Sequence, residues 1–224
     1  LAMFFVFVDG GNGKGILLNT IAAIMGDYAK TAPMETFTDS KNDRHPTDMA
    51  MLHGARMVFA QETESGRAWA ESKIKSLTGG DPISARFMRQ DFFTFTPKFK
   101  LLISGNRMPK LKNVDEAMRR RLYLLPFTQT FKGKDRDPHL ARTLKHEFEG
   151  ILQWVVKGAM AYEDQGLAPP AVVREATRLY FEEEDIFELW LSECCLQDVH
   201  AHANPTDLFN SYRFFTEQIK EPTE

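Results

Sequence analysis

Apolar residues fall along this chain in two rhythms. Phe4–Val8, Arg56–Gln61, Phe99–Ser104 and Tyr123–Phe127 are short, nearly unbroken apolar runs, which predict strands covered on both faces. Gly15–Met25 instead carries Ile16, Leu17, Thr20, Ile21 and Ile24 at helical spacing. Thr31–Phe37 reads as a further short strand. Thr47–His53 and Arg67–Leu77 read as helices, the second closed by Thr78-Gly79-Gly80-Asp81-Pro82. Ile83–Met88 and Phe92–Thr96 read as a hairpin with Arg89-Gln90-Asp91 near its tip. Beyond Lys132–Pro138 the pattern turns helical, through Leu140–Phe148, Ile151–Glu163, Val172–Leu191 and Asp207–Ile219. Strands alternating with helices predict an α/β core with a hairpin insertion. The Pro169-Pro170 pair then separates a core over residues 1–168 from a helical, winged-helix-like segment over 169–224.

Chemistry gathers where the predicted strands end. Gly10-Gly11-Asn12-Gly13-Lys14-Gly15 sits between an apolar strand and an amphipathic helix. Glycines let successive N–H groups turn inward as an anion nest, the helix N-terminus adds partial positive charge, and Lys14 reaches the β- and γ-phosphates of a nucleotide. Two positions depart from the usual phosphate loop. Val8 stands where its first glycine belongs, and Gly15 stands where a Ser or Thr would hold Mg²⁺. The strand Arg56–Gln61 delivers Glu62 and Glu64. Glu62 is the first candidate, and Glu64 the second, to hold Mg²⁺ through water or to polarise the attacking water. Phe99–Ser104 ends in Gly105-Asn106, whose amide suits the attacking water or the γ-phosphate. Because ligands bind at the carboxyl edge of open α/β sheets, Lys14, Glu62 and Asn106 are expected to converge there. Arg119-Arg120-Arg121 offers a guanidinium for transition-state charge. Each feature also has a plainer alternative: a glycine turn, solvated glutamates, a Gly-Asn turn and a solvated basic turn.

Composition narrows the classes. Of 224 residues, 43% are hydrophobic and 26% charged, which is ordinary for a soluble globular chain. No run approaches the roughly 20 apolar residues that span a bilayer, and Leu1–Val8 lacks the basic start of a secretory signal. The chain therefore reads as cytoplasmic. It opens inside a strand, as expected of a trimmed domain. Net charge is −3, yet cations cluster between Ile83 and Tyr123, and carboxylates lie beyond Phe148, densest at Glu182–Asp185. Arg86 and Arg89, at the hairpin end, are candidates for nucleic-acid backbone contact. The hairpin phenylalanines read as core rather than as stacking platforms. Cys194 and Cys195 are neighbours, so no disulfide framework is expected. A zinc site with His200 and His202 is disfavoured, because adjacent helical cysteines point about 100° apart.

The order of Gly10-Gly11-Asn12-Gly13-Lys14, Gln61-Glu62-Thr63-Glu64, Leu77-Thr78-Gly79-Gly80-Asp81, Phe95-Thr96-Pro97-Lys98-Phe99-Lys100, Ser104-Gly105-Asn106 and Arg120-Arg121 resembles superfamily 3 helicases. The resemblance is to the helicase half of phage and plasmid primase–helicases related to the poxvirus primase–helicase, and it covers most of Phe4–Phe127. It implies a P-loop NTPase (AAA+-like) core with a parallel central sheet, ATP and Mg²⁺ as ligands, and action in DNA replication. It further implies a homo-oligomeric ring, expected to be a hexamer, with ATP between subunits and single-stranded DNA in a central channel. The Ile83–Thr96 hairpin would track that DNA, and Arg120 would act in trans on a neighbour's nucleotide. A primase region on the same full-length chain, a phage, prophage or plasmid origin, and a bacterial host cytoplasm complete the expectation. The alternative is a P-loop scaffold that binds nucleotide without hydrolysing it, or hydrolyses without unwinding.

Overall fold

The computed structural model describes residues 2–7, 10–39, 47–61, 67–196 and 198–219. The chain divides into two compact units, Leu1–Thr177 and Arg178–Glu224. In the first, strands β1 (Met3–Phe7), β2 (Ala29–Thr31), β3 (Met57–Gln61), β6 (Lys100–Ser104) and β7 (Leu122–Pro126) form one sheet. Its order is β2-β3-β6-β1-β7, and every pairing is parallel. Parallel strands need crossovers, and α1 (Lys14–Met25) makes the first of them, from β1 to β2 at the sheet edge.

The apolar runs are continuous because both sheet faces are covered. Val6, Phe59 and Leu102 pack on one face with Leu18 of α1. Phe5, from the other face of β1, meets Trp69 edge-on at 5.7 Å, and both rings are fully buried. Each such side chain contributes roughly 1.5–3 kcal/mol on burial.

Between β3 and β6 lie α3 (Glu71–Gly79) and a two-stranded hairpin, β4 (Ile83–Ala85) with β5 (Phe93–Phe95). Its strands are shorter than the sequence predicts, because Arg86–Phe92 leaves the ladder as a loop. The expected strand at Thr31–Phe37 is also cut short. Pro33 carries no N–H to pair, and Met34–Thr36 coils into a 3₁₀ turn. The expected helix at Thr47–His53 shortens to α2 (Thr47–Ala50), followed by a turn. The expected helix at Arg67–Leu77 starts four residues later, because Ala68 and Trp69 form isolated bridges with Lys110 and Thr38.

A short helix, α4 (Glu116–Arg119), is held by an ionic brace. Glu71 is buried, and its carboxylate accepts the N–H groups of Lys112 and Asn113 at 2.8 and 2.9 Å. Asp115 caps α4 by accepting from the Met118 N–H at 2.8 Å, and it pairs with Lys75. Burial pushes the Asp115 carboxyl up, but the Lys75 ammonium and the Met118 N–H outweigh it and leave it below its ordinary value. A carboxyl lowered in the fold stabilises above the unfolded value of about 3.9, and that contribution is lost as pH falls through the lowered value. Asp115→Ala should therefore cost about 1 kcal/mol at neutral pH, mostly from the cap. Asp115→Asn keeps the cap and should cost less. Urea titrations at neutral pH and near pH 3 check this: the gap between wild type and Asp115→Asn should close in acid.

After β7 the chain runs through α5 (Leu140–Lys145) and α6 (Phe148–Gln165) into α7 (Ala171–Glu184). In the second unit, α8 (Ile186–Cys194) and α9 (Pro205–Gln218) pack through Phe187, Trp190 and Tyr212, and the Trp190 indole donates to Ser211 Oγ at 3.2 Å. The single helix expected over Val172–Leu191 is two. Asp185 accepts from the Glu188 N–H at 3.2 Å and starts a new helix. No described helix is long and apolar enough to cross a membrane.

Candidate nucleotide-binding site

The sheet register brings three strand ends level. Val6 of β1 and Gln61 of β3 both pair with Ser104 of β6. At this carboxyl edge opens a cavity of about 680 Å³ lined by the Gly10–Ile16 segment, Gln61, Ser104 and Asn106. That volume lies in the range of small-molecule sites.

The glycine segment turns sharply between β1 and α1. Gly11 and Gly13 take φ of 83° and 84°, which side chains disfavour, and Gly13 stands at the N-cap of α1, where Asn12 Oδ1 accepts from the Lys14 N–H at 3.5 Å. A Cβ placed at Gly10, Gly13 or Gly15 would meet nothing within 4 Å, so the surface there is open. Two bonds fix the loop against β7 and the chain beyond it. The Asn12 amide donates to the Phe127 carbonyl at 3.2 Å, and the Phe131 N–H donates to Gly11 O at 2.9 Å. Asn12 is buried, and its side chain braces the loop.

Lys14 is the first residue of α1 and is only 8% exposed. Its Nζ lies 3.5 Å from Asn106 Oδ1, and both side chains line the cavity. The lysine and the strand-end amide therefore meet. The two carboxylates expected beside them, Glu62 and Glu64, lie outside the described residues, as does Val8; Gln61, just before them, lines the cavity. Gly15 is exposed on α1 and also lines it, without a hydroxyl.

Arg120 stands apart from this cavity. It caps the C-terminus of α4, is exposed, and makes no side-chain hydrogen bond or ion pair among the described residues. Its neighbours are engaged locally: Arg119 lies 3.9 Å from Glu116, and Arg121 donates to Ala117 O at 2.7 Å.

The sequence pattern missed the far wall. Phe131, Asp135–Pro138, Leu140 and Ala141 complete the cavity, with Arg136 as its second cation among the described residues. Leu140 and Ala141 belong to α5, which packs against α1. As sequence, Lys132–Pro138 reads only as a polar connection. The Asp-Pro pair before a helix was its sole signal.

At the hairpin, Arg89 has φ 60° and is the one non-glycine residue of positive φ among those described. Arg86 lies 4.9 Å from the Phe92 ring. Phe95 is buried and, with Phe93, packs edge-on against His53, as core phenylalanines do. Phe87 and Phe92 stay exposed. Among the described residues no cluster of three or more His, Cys, Asp or Glu could hold a metal ion.

The model of a family of unknown function, DUF5906, matches residues 8–121. Over 92% of its length the chain is 24% identical to "Putative helicase 022R" of frog virus 3 (isolate Goorha). Over 85% it is 25% identical to a protein of Acanthamoeba polyphaga mimivirus that carries the same helicase designation. The chain spans 23% and 22% of the lengths of these two relatives, so it corresponds to one part of a longer protein in each case. Among solved structures, the A-form apo NrS-1 C-terminal region aligns over 82% of this chain and 42% of that one, with a TM-score of 0.56 at 11% identity. That likeness shows the fold: α/β with a parallel central sheet and a helical appendage, an AAA+/P-loop-like architecture. The relationship to viral proteins named as helicases is distant, and it is coarser than the phage or plasmid group to which the sequence motifs point.

Proposed function

The chain belongs to the DUF5906 family, and on that footing we propose that it is an ATP-driven motor domain of helicase type, the translocating part of a replicative primase–helicase. One observation carries the reading. A buried lysine at the start of α1 meets the Asn106 amide inside a cavity at the level ends of three parallel strands. The open glycine cradle and the N-terminus of α1 suit the β- and γ-phosphates of ATP. Lys14 neutralises charge that grows on the leaving and transferring oxygens, and Asn106 orients the attacking water. Mg²⁺, when bound with ATP, supplies further charge neutralisation on the phosphate oxygens. Glu62 is the residue proposed to hold it through water, since Gly15 offers no hydroxyl. Arg120, exposed and away from its own cavity, serves a neighbouring subunit's nucleotide in a ring, which we take to be hexameric. A primase region elsewhere on the full-length chain and a phage or plasmid origin belong to the same proposal, as does a division of labour between residues 1–168 and 169–224.

Single-stranded DNA is assigned to the hairpin. A bulky residue held at positive φ costs of order 1 kcal/mol, and such strain persists where function uses it. Arg89 is that residue, at an exposed tip beside Arg86. Arg89→Ala should remove most of the stimulation of phosphate release by single-stranded DNA while leaving the melting temperature unchanged. Stimulation equal to wild type would sink the hairpin assignment.

A second reading, a scaffold that binds nucleotide without turnover, draws on Gly15, whose missing hydroxyl weakens Mg²⁺ binding. Phosphate release by the assembled protein separates the two.

A further inference from the structure

A second cavity, of about 430 Å³, lies at the foot of the hairpin. It sits at the amino-terminal edge of the sheet, the edge opposite the Lys14 cleft. Met57 pairs with Lys100, and the Lys100 N–H donates to Arg56 O at 3.0 Å. The turn entering β3 and the link from β5 to β6 therefore run side by side. Strand β6 begins beside this cavity, and the loop after it carries Asn106 into the nucleotide cleft.

The lining is chemically one-sided. His53, Arg56 and Lys98 supply cationic or protonatable nitrogens, and Thr94 and Thr96 supply hydroxyls on either side of buried Phe95. Among the described residues, no Asp or Glu lines it. The His53 ring meets Phe95 edge-on at 5.4 Å, which fixes one wall. Two cationic side chains beside hydroxyl donors make a site for a phosphate group. Its place below Arg86 and Arg89 on the same hairpin favours a phosphate belonging to a strand already engaged at the tip.

We propose that this cavity holds a phosphodiester of single-stranded DNA, a backbone contact additional to those of the hairpin tip. The inference rests on the assignment of DNA to the hairpin in the preceding subsection. Arg56 and Lys98 make the charged contacts, and Thr94 and Thr96 orient the phosphate oxygens.

Fluorescence anisotropy of a labelled oligo(dT) over a series of salt concentrations tests it. The proteins are wild type, Arg56→Gln/Lys98→Gln, Lys98→Gln alone and Arg89→Gln, each checked by thermal melting. The double variant should bind about ten-fold more weakly near 0.1 M salt, and its slope of log affinity against log salt should be shallower by about 0.7 for each phosphate left without its cation. Should the double variant not fold, Lys98→Gln alone is expected to give about half of that slope change. A wild-type slope and affinity in the variants, with Arg89→Gln impaired, overturns this proposal and leaves the hairpin assignment standing. A wild type that binds no oligonucleotide overturns both. Inorganic phosphate that binds wild type in calorimetry but not the double variant, with no change in oligonucleotide slope, would mark a free-anion site and also overturn it.

Discussion

Lys14→Ala is expected to lower the rate of ATP hydrolysis by about 10²–10³-fold, the cost of removing one donor aimed at developing charge in a water-poor site. Affinity should fall as well, and more for triphosphate than for diphosphate, because Nζ meets Asn106, the amide proposed to face the γ-phosphate. A charge-assisted contact contributes about 1.5–3 kcal/mol, so ATP binding should weaken by at least about ten-fold. Lys14→Arg is not expected to restore turnover. Lys14 is 8% exposed, and a planar guanidinium cannot occupy the same enclosed space as a point ammonium. Equal loss for ADP and ATP would mean that the lysine serves the loop and not the terminal phosphate. Phosphate release together with equilibrium binding of both nucleotides reads this directly.

Arg120→Ala should behave differently. Nucleotide affinity should stay near wild type, because Arg120 is absent from the lining of its own subunit's cavity, while turnover falls by about 10³-fold or more, as for arginines supplied in trans. Mixing gives the sharper test. A Lys14→Ala subunit still offers Arg120, and an Arg120→Ala subunit still offers Lys14, so mixed assemblies contain some complete sites. Turnover should recover on mixing two inactive variants. Assemblies that form yet remain inactive would remove Arg120 from the chemistry. The brace of Glu71, Lys75 and Asp115 on α4 gives this arginine a fixed base, so Asp115→Ala should also blunt turnover in proportion to its loss of stability.

How much of this was legible before folding differs by element. Strands β1, β3, β6 and β7 stand within a residue or so of their apolar runs, because burial on both faces leaves no alternation to confuse with a helix. Helix α1 follows from Ile16, Leu17, Ile21 and Ile24 in the same way. Shorter elements escaped. A three-residue strand such as β2 has no period to detect, and one aspartate at 185 split a helix whose apolar stripe runs on. Strand order was out of reach, since parallel neighbours are chosen by crossovers far apart in sequence. That order places Gln61, Ser104 and Val6 side by side, and hence Lys14 beside Asn106. The motif residues were therefore visible while their meeting was not. Phe131, Asp135–Pro138, Leu140 and Ala141 were invisible for the opposite reason. They carry no motif, and only the packing of α5 on α1 turns a polar connection into a cavity wall.

The motor function depends first on where a triphosphate binds. A structure of the protein with a non-hydrolysable ATP analogue and Mg²⁺ at saturating concentration should show the β- and γ-phosphates in the Gly10–Lys14 cradle, with the γ-phosphate within hydrogen-bond reach of Lys14 Nζ and the Asn106 amide. A nucleotide bound elsewhere, or none in that cleft, would contradict it.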